Sequence, residues 1–166
     1  MKITNRKFNR DYEVIETYEA GISLTGSEVK TIRSGGLKLE NAFIKLLEDG
    51  PYLVNAEIPH YKFSHPQGYD SRRSRKLLLH KSELIRLQTK IKSAKGLTII
   101  PVSCYSKHAR FKLEIALCKG RKEVEKRKLE KNRDIEREEK KRVKEWMKSW
   151  KLHQFIDDIL FKCLLI

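Results

Sequence analysis

Cysteine is scarce in this chain. Its three cysteines, Cys104, Cys118 and Cys163, are odd in number, show no C-x-x-C spacing and sit in apolar or alternating surroundings. That pattern argues against a disulfide or zinc framework and predicts reduced core thiols, as in a cytoplasmic protein. Long apolar runs are missing as well. The opening MKITNRKFNR holds no stretch fit for a signal peptide or anchor, and nowhere do roughly 20 apolar residues follow one another as a bilayer span requires. No membrane partner is expected. Catalytic signatures are equally absent: there is no G-x-S-x-G, no phosphate-binding glycine loop and no Cys/His pair at a catalytic spacing. No acidic cluster stands out against the basic background, and His60 and His65, with Asp70 following, match no zinc signature. The expectation is a protein that is not an enzyme and takes no metal or cofactor.

Negative charge is the last shortage. Lys and Arg number 37 against 22 Asp and Glu, a formal net charge of +15 over 166 residues. An excess of that size spreads a positive potential over the surface and makes a polyanion the first expected partner. The length fits one domain with an appendage, since a single core is reached at roughly 100 to 150 residues. The composition sets the boundary: residues 1–119 as the folded domain and residues 120–166 as a basic C-terminal tail.

Within the first part, YEVIETYEAGISL alternates and is rich in β-branched and aromatic residues, which predicts a long half-buried strand with a bend at Gly21. TGSEVKTIRSGG predicts a short helix with Ser27 as its N-cap, Glu28 in the first turn and Gly35 and Gly36 as its stop. AFIKLLEDGPYLVNAEI reads as a hairpin turning at Glu48, Asp49 and Gly50, with Pro51 first in the second strand. RKLLLHKSELIRLQTKIKSAKG carries helical spacing in Leu84, Leu87 and Ile91, with Ser82 near the start and Gly96 past the end. LTIIPVSCY and ARFKLEIALCKG are two more strands joined across SKHA. The second puts Phe111, Leu113, Ile115 and Leu117 on one face, and Lys112 and Glu114 on the other. About five mostly antiparallel strands with inserted helices are better closed than left with two open edges. The expected class is mainly β: an OB-fold-like antiparallel β-barrel with added helices. An SH3-like barrel and an α+β sandwich share the same periodicity.

Two segments invite a polyanion. HYKFSHPQGYDSRRSRK, from His60 to Lys76, interleaves aromatic rings with Lys62, Arg72, Arg73, Arg75 and Lys76. Rings stack unpaired bases and basic groups neutralise phosphates, against the plainer role of a solvated loop covering a barrel end. From Lys119 to Lys151 there are 15 basic and 8 acidic residues. With few apolar positions, this stretch gains too little burial to offset an ordering entropy of about 1 to 2 kcal/mol per residue. It is expected to be disordered when free and helical when bound, reaching about 45 Å if roughly 30 residues are helical. Val143, Trp146, Met147 and Trp150 make a narrow apolar stripe near its end, suited to docking. The final FIDDILFKCLLI is too short to span a bilayer.

NRKFNRDY, TYEAGISLTGSEVKTIR, RKLLLHK, the strands from Gly96 to Leu117 and KGRKEVEKR together resemble the SmpB family, the tmRNA-binding proteins of bacterial ribosome rescue, in order over about residues 5–133. The combination of YEAGI, LTGSEVK and RKLLLHK is highly specific. The resemblance implies an OB-fold barrel and two partners: the tRNA-like domain of tmRNA, and a stalled ribosome, in whose decoding centre and empty mRNA channel the tail lies along small-subunit rRNA. Elongation factor Tu follows indirectly, through alanyl-tmRNA. By matching position, Glu19, Leu78, His80 and Lys112 fall on the family's tmRNA-contacting positions, with Tyr105 and Arg110 in the adjoining hairpin. Gly120, Glu125, Lys126 and Arg127 match the start of the ribosome-contacting tail. His80 replaces the more usual asparagine, Glu125 the usual aspartate, and Val124 stands where many relatives carry an aromatic or histidine. The competing functions are a general OB-fold RNA-binding or ribosome biogenesis factor, which would not account for KGRKEVEKR, and a basic nuclease, which would need a carboxylate cluster.

Overall fold

The computed structural model describes residues 2–64, 68–108 and 110–163, with side chains beyond Met147 described only at Trp150. His65 and Pro66 of the aromatic loop, and the side chains of the apolar C-terminal run including Cys163, therefore lie outside the described residues. Contacts divide the chain into two compact units, Met1–Arg121 and Lys122–Ile166.

The first unit holds seven strands and three helices among the described residues: β1 (Lys2–Thr4), α1 (Phe8–Asp11), β2 (Tyr12–Ile22), α2 (Gly26–Arg33), β3 (Phe43–Leu47), β4 (Gly50–Val54), β5 (Arg75–Leu78), α3 (Lys81–Ser93), β6 (Leu97–Lys107) and β7 (Arg110–Gly120). All pairings are antiparallel, in the order β1-β6-β3-β4-β5-β2-β7, and β6 also pairs with β7. That last pairing joins six strands into a ring with β1 as an outer addition. The ring is thin at three seams: β3 meets β6 at one residue pair, Ile44 with Ile99, and β5 meets β2 and β4 at two pairs each. It is a partly open barrel of the OB-like kind, not a clean one.

Strand alternation sends Ala20, Ile44, Leu53, Leu77, Ile99, Leu113, Ile115 and Leu117 inward. Ile32 of α2 and Leu87 of α3 join the same core, both fully buried, so each helix is held by an apolar anchor worth about 1.5 to 3 kcal/mol. Residues of opposite parity on β6 and β7, Ile100, Ala116 and Cys118, form a second, small cluster under Phe8 of α1. Cys104 and Cys118 are free, buried thiols whose burial pushes their pKa up to about 12, so they stay protonated and inert.

Several local expectations are corrected. The N-cap of α2 is Thr25, not Ser27; the Glu28 carboxylate reaches back to accept from the Thr25 amide at 2.8 Å. The N-cap of α3 is His80, not Ser82, with Glu83 accepting from its amide at 3.0 Å. RKLL ahead of that helix is strand β5, because its alternation buries Arg75 and Leu77 while Lys76 and Leu78 face out. Pro51 is second in β4, after Gly50, whose φ of +131° favours glycine at the turn. β1 and α1 are too short for periodicity to announce.

Glu28 explains why the helix start and β5 are fixed together. It is 1 % exposed and Arg75 is fully buried. Its Oε1 accepts from Arg75 Nε at 2.8 Å and from Arg73 Nε at 2.9 Å, and Oε2 from Arg73 Nη2 at 2.5 Å. Arg75 also donates to the carbonyls of Ala56, Arg73 and Ser71. Burial alone would raise the Glu28 pKa, but Arg73, the Thr25 amide and Arg75 outweigh it and bring it down to about 2.

The second unit is one helix, α4 (Glu123–Cys163). Its helical form is the one expected of the tail when bound. Its side chains supply local ion pairs, Arg127 with Glu123, Arg137 with Asp134, and Lys140 with Glu136, each worth only about 0.3 to 0.5 kcal/mol. Val124, Ile135, Val143, Trp146, Met147 and Trp150 are all exposed, so among the described side chains no buried face contributes to holding the helix.

Candidate nucleic-acid interface

One row of strand register assembles the site. Leu78 of β5 lies opposite Gly21 of β2, Gly21 opposite Lys112 of β7, Lys112 opposite Tyr105 of β6 and Tyr105 opposite Lys2 of β1. These residues have the parity opposite to core residues Leu77, Ala20, Leu113 and Cys104, so they face outward together. Five strands thus bring side chains from the start, middle and end of the first unit onto one strip.

Glu19, two residues before Gly21, shares that face. The Tyr105 hydroxyl donates to its carboxylate, and Lys107 and Lys112 each stand 3.5 Å from it. The Tyr105 hydrogen bond, then Lys107 and Lys112, lower the Glu19 pKa against a smaller opposing effect of desolvation. Conversely, the carboxylate raises the Tyr105 phenol to about 12, because a phenolate would sit against an existing negative charge. One carboxylate therefore fixes one aromatic ring and two ammonium groups.

Beside this cluster is an open hollow of about 480 Å³ lined by Glu19, Gly21, Leu78, His80, Arg110 and Lys112, with Val29 of α2 among its other walls. All six of the sequence-singled barrel residues meet here: five line the hollow, and Tyr105 adjoins through Glu19. Leu78 is 62 % exposed, an apolar side chain among charges. Gly21 leaves its floor open; a Cβ there would come within 3.3 Å of Leu78 Cβ. Sequence reading missed Gly21, Lys107 and also His108, which with Glu19, Lys107, Arg110 and Lys112 lines an adjoining hollow. Alternation in β2 carried a signal for Gly21, whereas His108 takes a positive φ of 49° at the hairpin tip, which nothing in its neighbours announces.

The tail residues occupy another place in the chain. Gly120 ends β7, and the next residue is tied down, Arg121 donating through its amide to Asp11 O and through Nε to Tyr12 O. Glu125, Lys126 and Arg127 lie in the first turns of α4, where Glu125 accepts from the Lys122 amide at 3.2 Å. Among the described residues no group of His, Cys, Asp and Glu could hold a metal, and no helix is long and apolar enough to cross a membrane.

A family model described as SmpB protein matches residues 2–145. Similar curated relatives are the SsrA-binding proteins of Sulfurihydrogenibium sp. (48 % identical, covering 85 % of this chain and 92 % of the relative), of Persephonella marina (45 %, 85 % and 92 %) and of Mycoplasma mycoides subsp. mycoides (44 %, 86 % and 96 %). A solved structure described as "tmRNA-SmpB: a journey to the center of the bacterial ribosome" contains a chain that is 41 % identical, with a TM-score of 0.61, covering 74 % of this chain and 85 % of that one.

Proposed function

Because this chain belongs to the SmpB family, we propose that it is an SsrA-binding protein of trans-translation, an adaptor that binds tmRNA and works with it on stalled ribosomes. The observation that carries the barrel's part is the outward row from Leu78 through Gly21 and Lys112 to Tyr105. A folded RNA is recognised by shape, phosphates and 2′-hydroxyls, which calls for a rigid, pre-arranged strip of mixed chemistry. Lys112, Lys107 and Arg110 neutralise phosphates of the tRNA-like domain, Leu78 packs against a sugar or base, and Glu19 accepts a hydrogen bond from the RNA while holding its two lysines in place. His80 supplies a ring nitrogen that can donate or accept a hydrogen bond.

The tail performs the ribosomal step. Gly120, Glu125, Lys126 and Arg127 engage the decoding centre, and α4 runs along small-subunit rRNA in the empty mRNA channel, with Val143, Trp146, Met147 and Trp150 against its wall. A helix supported by ion pairs, with its described apolar side chains exposed, draws its stability from the surface it meets, so an occupied channel disfavours it. Elongation factor Tu joins through the alanylated RNA, the work is cytoplasmic, and the protein catalyses no step itself.

The deciding experiment compares binding to the tRNA-like domain, an ordinary tRNA and a random RNA of equal length across a salt series. Charge alone gives three similar affinities with steep salt dependence. A preference for the tRNA-like domain that survives rising salt is the expected result; equal binding would leave a general RNA-binding or ribosome biogenesis module.

A further inference from the structure

The aromatic loop between β4 and β5 takes no part in the row just described, yet it carries the most exposed large apolar side chain among the described residues. Phe63 is 84 % exposed. Its ring stands edge-on to Tyr61 at 5.6 Å between centroids and 66° between planes, so the pair forms a corner with the Phe63 face open to water. The corner is braced from behind. The Ser64 amide donates to Tyr61 O at 3.0 Å, Ser64 Oγ and His60 Nε2 share a hydrogen bond of 3.1 Å, and the Tyr69 hydroxyl donates to Ile58 O at 2.9 Å. His60 also meets Tyr69 edge-on at 5.6 Å. Lys30 of α2 stands over the Tyr61 ring, 5.3 Å from its centroid.

The surroundings favour a polyanion. Lys62 lies between the two rings in sequence and is exposed, and Arg33 follows Lys30 by one turn on α2. Stacking platforms for unpaired bases combine these parts: an open π-face, a neighbouring ring that fixes its direction, and cations for the adjoining phosphates. Paired bases already have their faces covered, which restricts the occupant to unpaired nucleotides. A braced corner loses little entropy on binding. α2 also connects this corner with the proposed RNA strip, because Val29 lines the hollow while Lys30 caps Tyr61.

We propose that Tyr61 and Phe63, with Lys30, Lys62 and Arg33, form a second RNA contact that stacks an unpaired base on Phe63. This extends the RNA-binding function proposed above and rests on it for the identity of the polyanion. A protein segment seated on the same corner is the competing occupant.

The test uses the full chain with two probes, an unstructured RNA of about six nucleotides, within the range one such domain accommodates, and the tRNA-like domain. Binding is measured for the wild type, Phe63→Leu, Phe63→Tyr and Lys112→Ala, with the Phe63 ring protons followed by NMR. With the short RNA, the ring protons are expected to shift upfield. Phe63→Leu should weaken binding about tenfold without changing the salt slope, whereas Phe63→Tyr, which keeps a π-face, should stay within about twofold of wild type. Unmoved ring protons, or equal affinities for Phe63→Leu and Phe63→Tyr, would overturn the proposal and leave the corner to a protein. The tRNA-like domain separates this result from the parent function: loss of its preference, or indifference to Lys112→Ala, counts against the barrel strip, whatever the short RNA shows.

Discussion

Tyr105 on β6 reaches over β7 to donate its hydroxyl proton to Glu19 on β2, linking residues 86 positions apart in the chain. Both partners record the bond, Glu19 in a lowered pKa and Tyr105 in one raised to about 12 from an ordinary 10.0. In Glu19→Gln the neighbouring negative charge is gone, and the Tyr105 phenol should titrate closer to 10, as followed by its ring resonances in a pH series. A Tyr105 that still titrates near 12 in the variant would mean that Glu19 does not hold it.

Lys112 and Leu78 test the strip in two different ways. Lys112→Ala should weaken binding to the tRNA-like domain about tenfold, the size of one hydrogen bond to a charged group, and lower the salt slope by about one phosphate contact. Leu78→Ala should weaken binding with the slope unchanged, since its side chain carries no charge. Equilibrium titration over a salt series separates the two, and unchanged affinity in both variants would remove the strip from the interface.

Glu28 governs stability. Its folded pKa of about 2 lies below the ordinary value of 4.5, so the carboxylate contributes stability that is fully present above pH 4.5 and fades as the pH falls towards 2. Denaturant unfolding should show that loss in the wild type. Glu28→Gln leaves Arg75 buried without its counter-charge and should cost about 3 to 5 kcal/mol at neutral pH, while flattening this part of the acid dependence. A variant as stable as wild type would show that Arg75 is satisfied by the Ala56, Arg73 and Ser71 carbonyls alone.

Truncation after Arg121 keeps that residue's bonds to Asp11 and Tyr12 and removes the second unit entirely. Binding to the tRNA-like domain should remain close to wild type at moderate salt, while peptide tagging on stalled ribosomes should be lost in a reconstituted translation assay. If truncation also removed the preference for the tRNA-like domain, the tail would belong to the primary RNA site.

Much was legible before any coordinates because the physics involved is local. Alternation in YEVIETYEAGI and ARFKLEIALCKG, the turn at Asp49 and Gly50, the helical spacing of Leu84, Leu87 and Ile91 and the shortage of apolar residues after Gly120 all act within a few residues, and the strands and helices follow them. Sequence also determined the charge, and with it the class of partner. Short elements escaped, because three residues of β1 or four of α1 span barely more than one period of a strand or helix, too little for a repeat to show. The helix caps escaped for a related reason: the Thr25 and Ser27 hydroxyls compete at the start of α2, the cap of α3 is a histidine, and Glu28 and Glu83 select Thr25 and His80 by where their own carboxylates reach.

Tertiary structure alone decided which residues stand side by side. Gly21, Leu78, Tyr105 and Lys112 come from four strands, and their common row depends on ring closure and on register shifts after Val14 and Pro101. A shift of one residue in any of these pairings would turn that strand's outward residues into the core. The same holds for Glu28, whose buried position next to Arg75 depends on α2 and β5 meeting across 47 residues of chain. Periodicity fixes which face a side chain takes within its own strand, but neighbours across a barrel are chosen by long-range pairing, and that is settled only when the whole core closes.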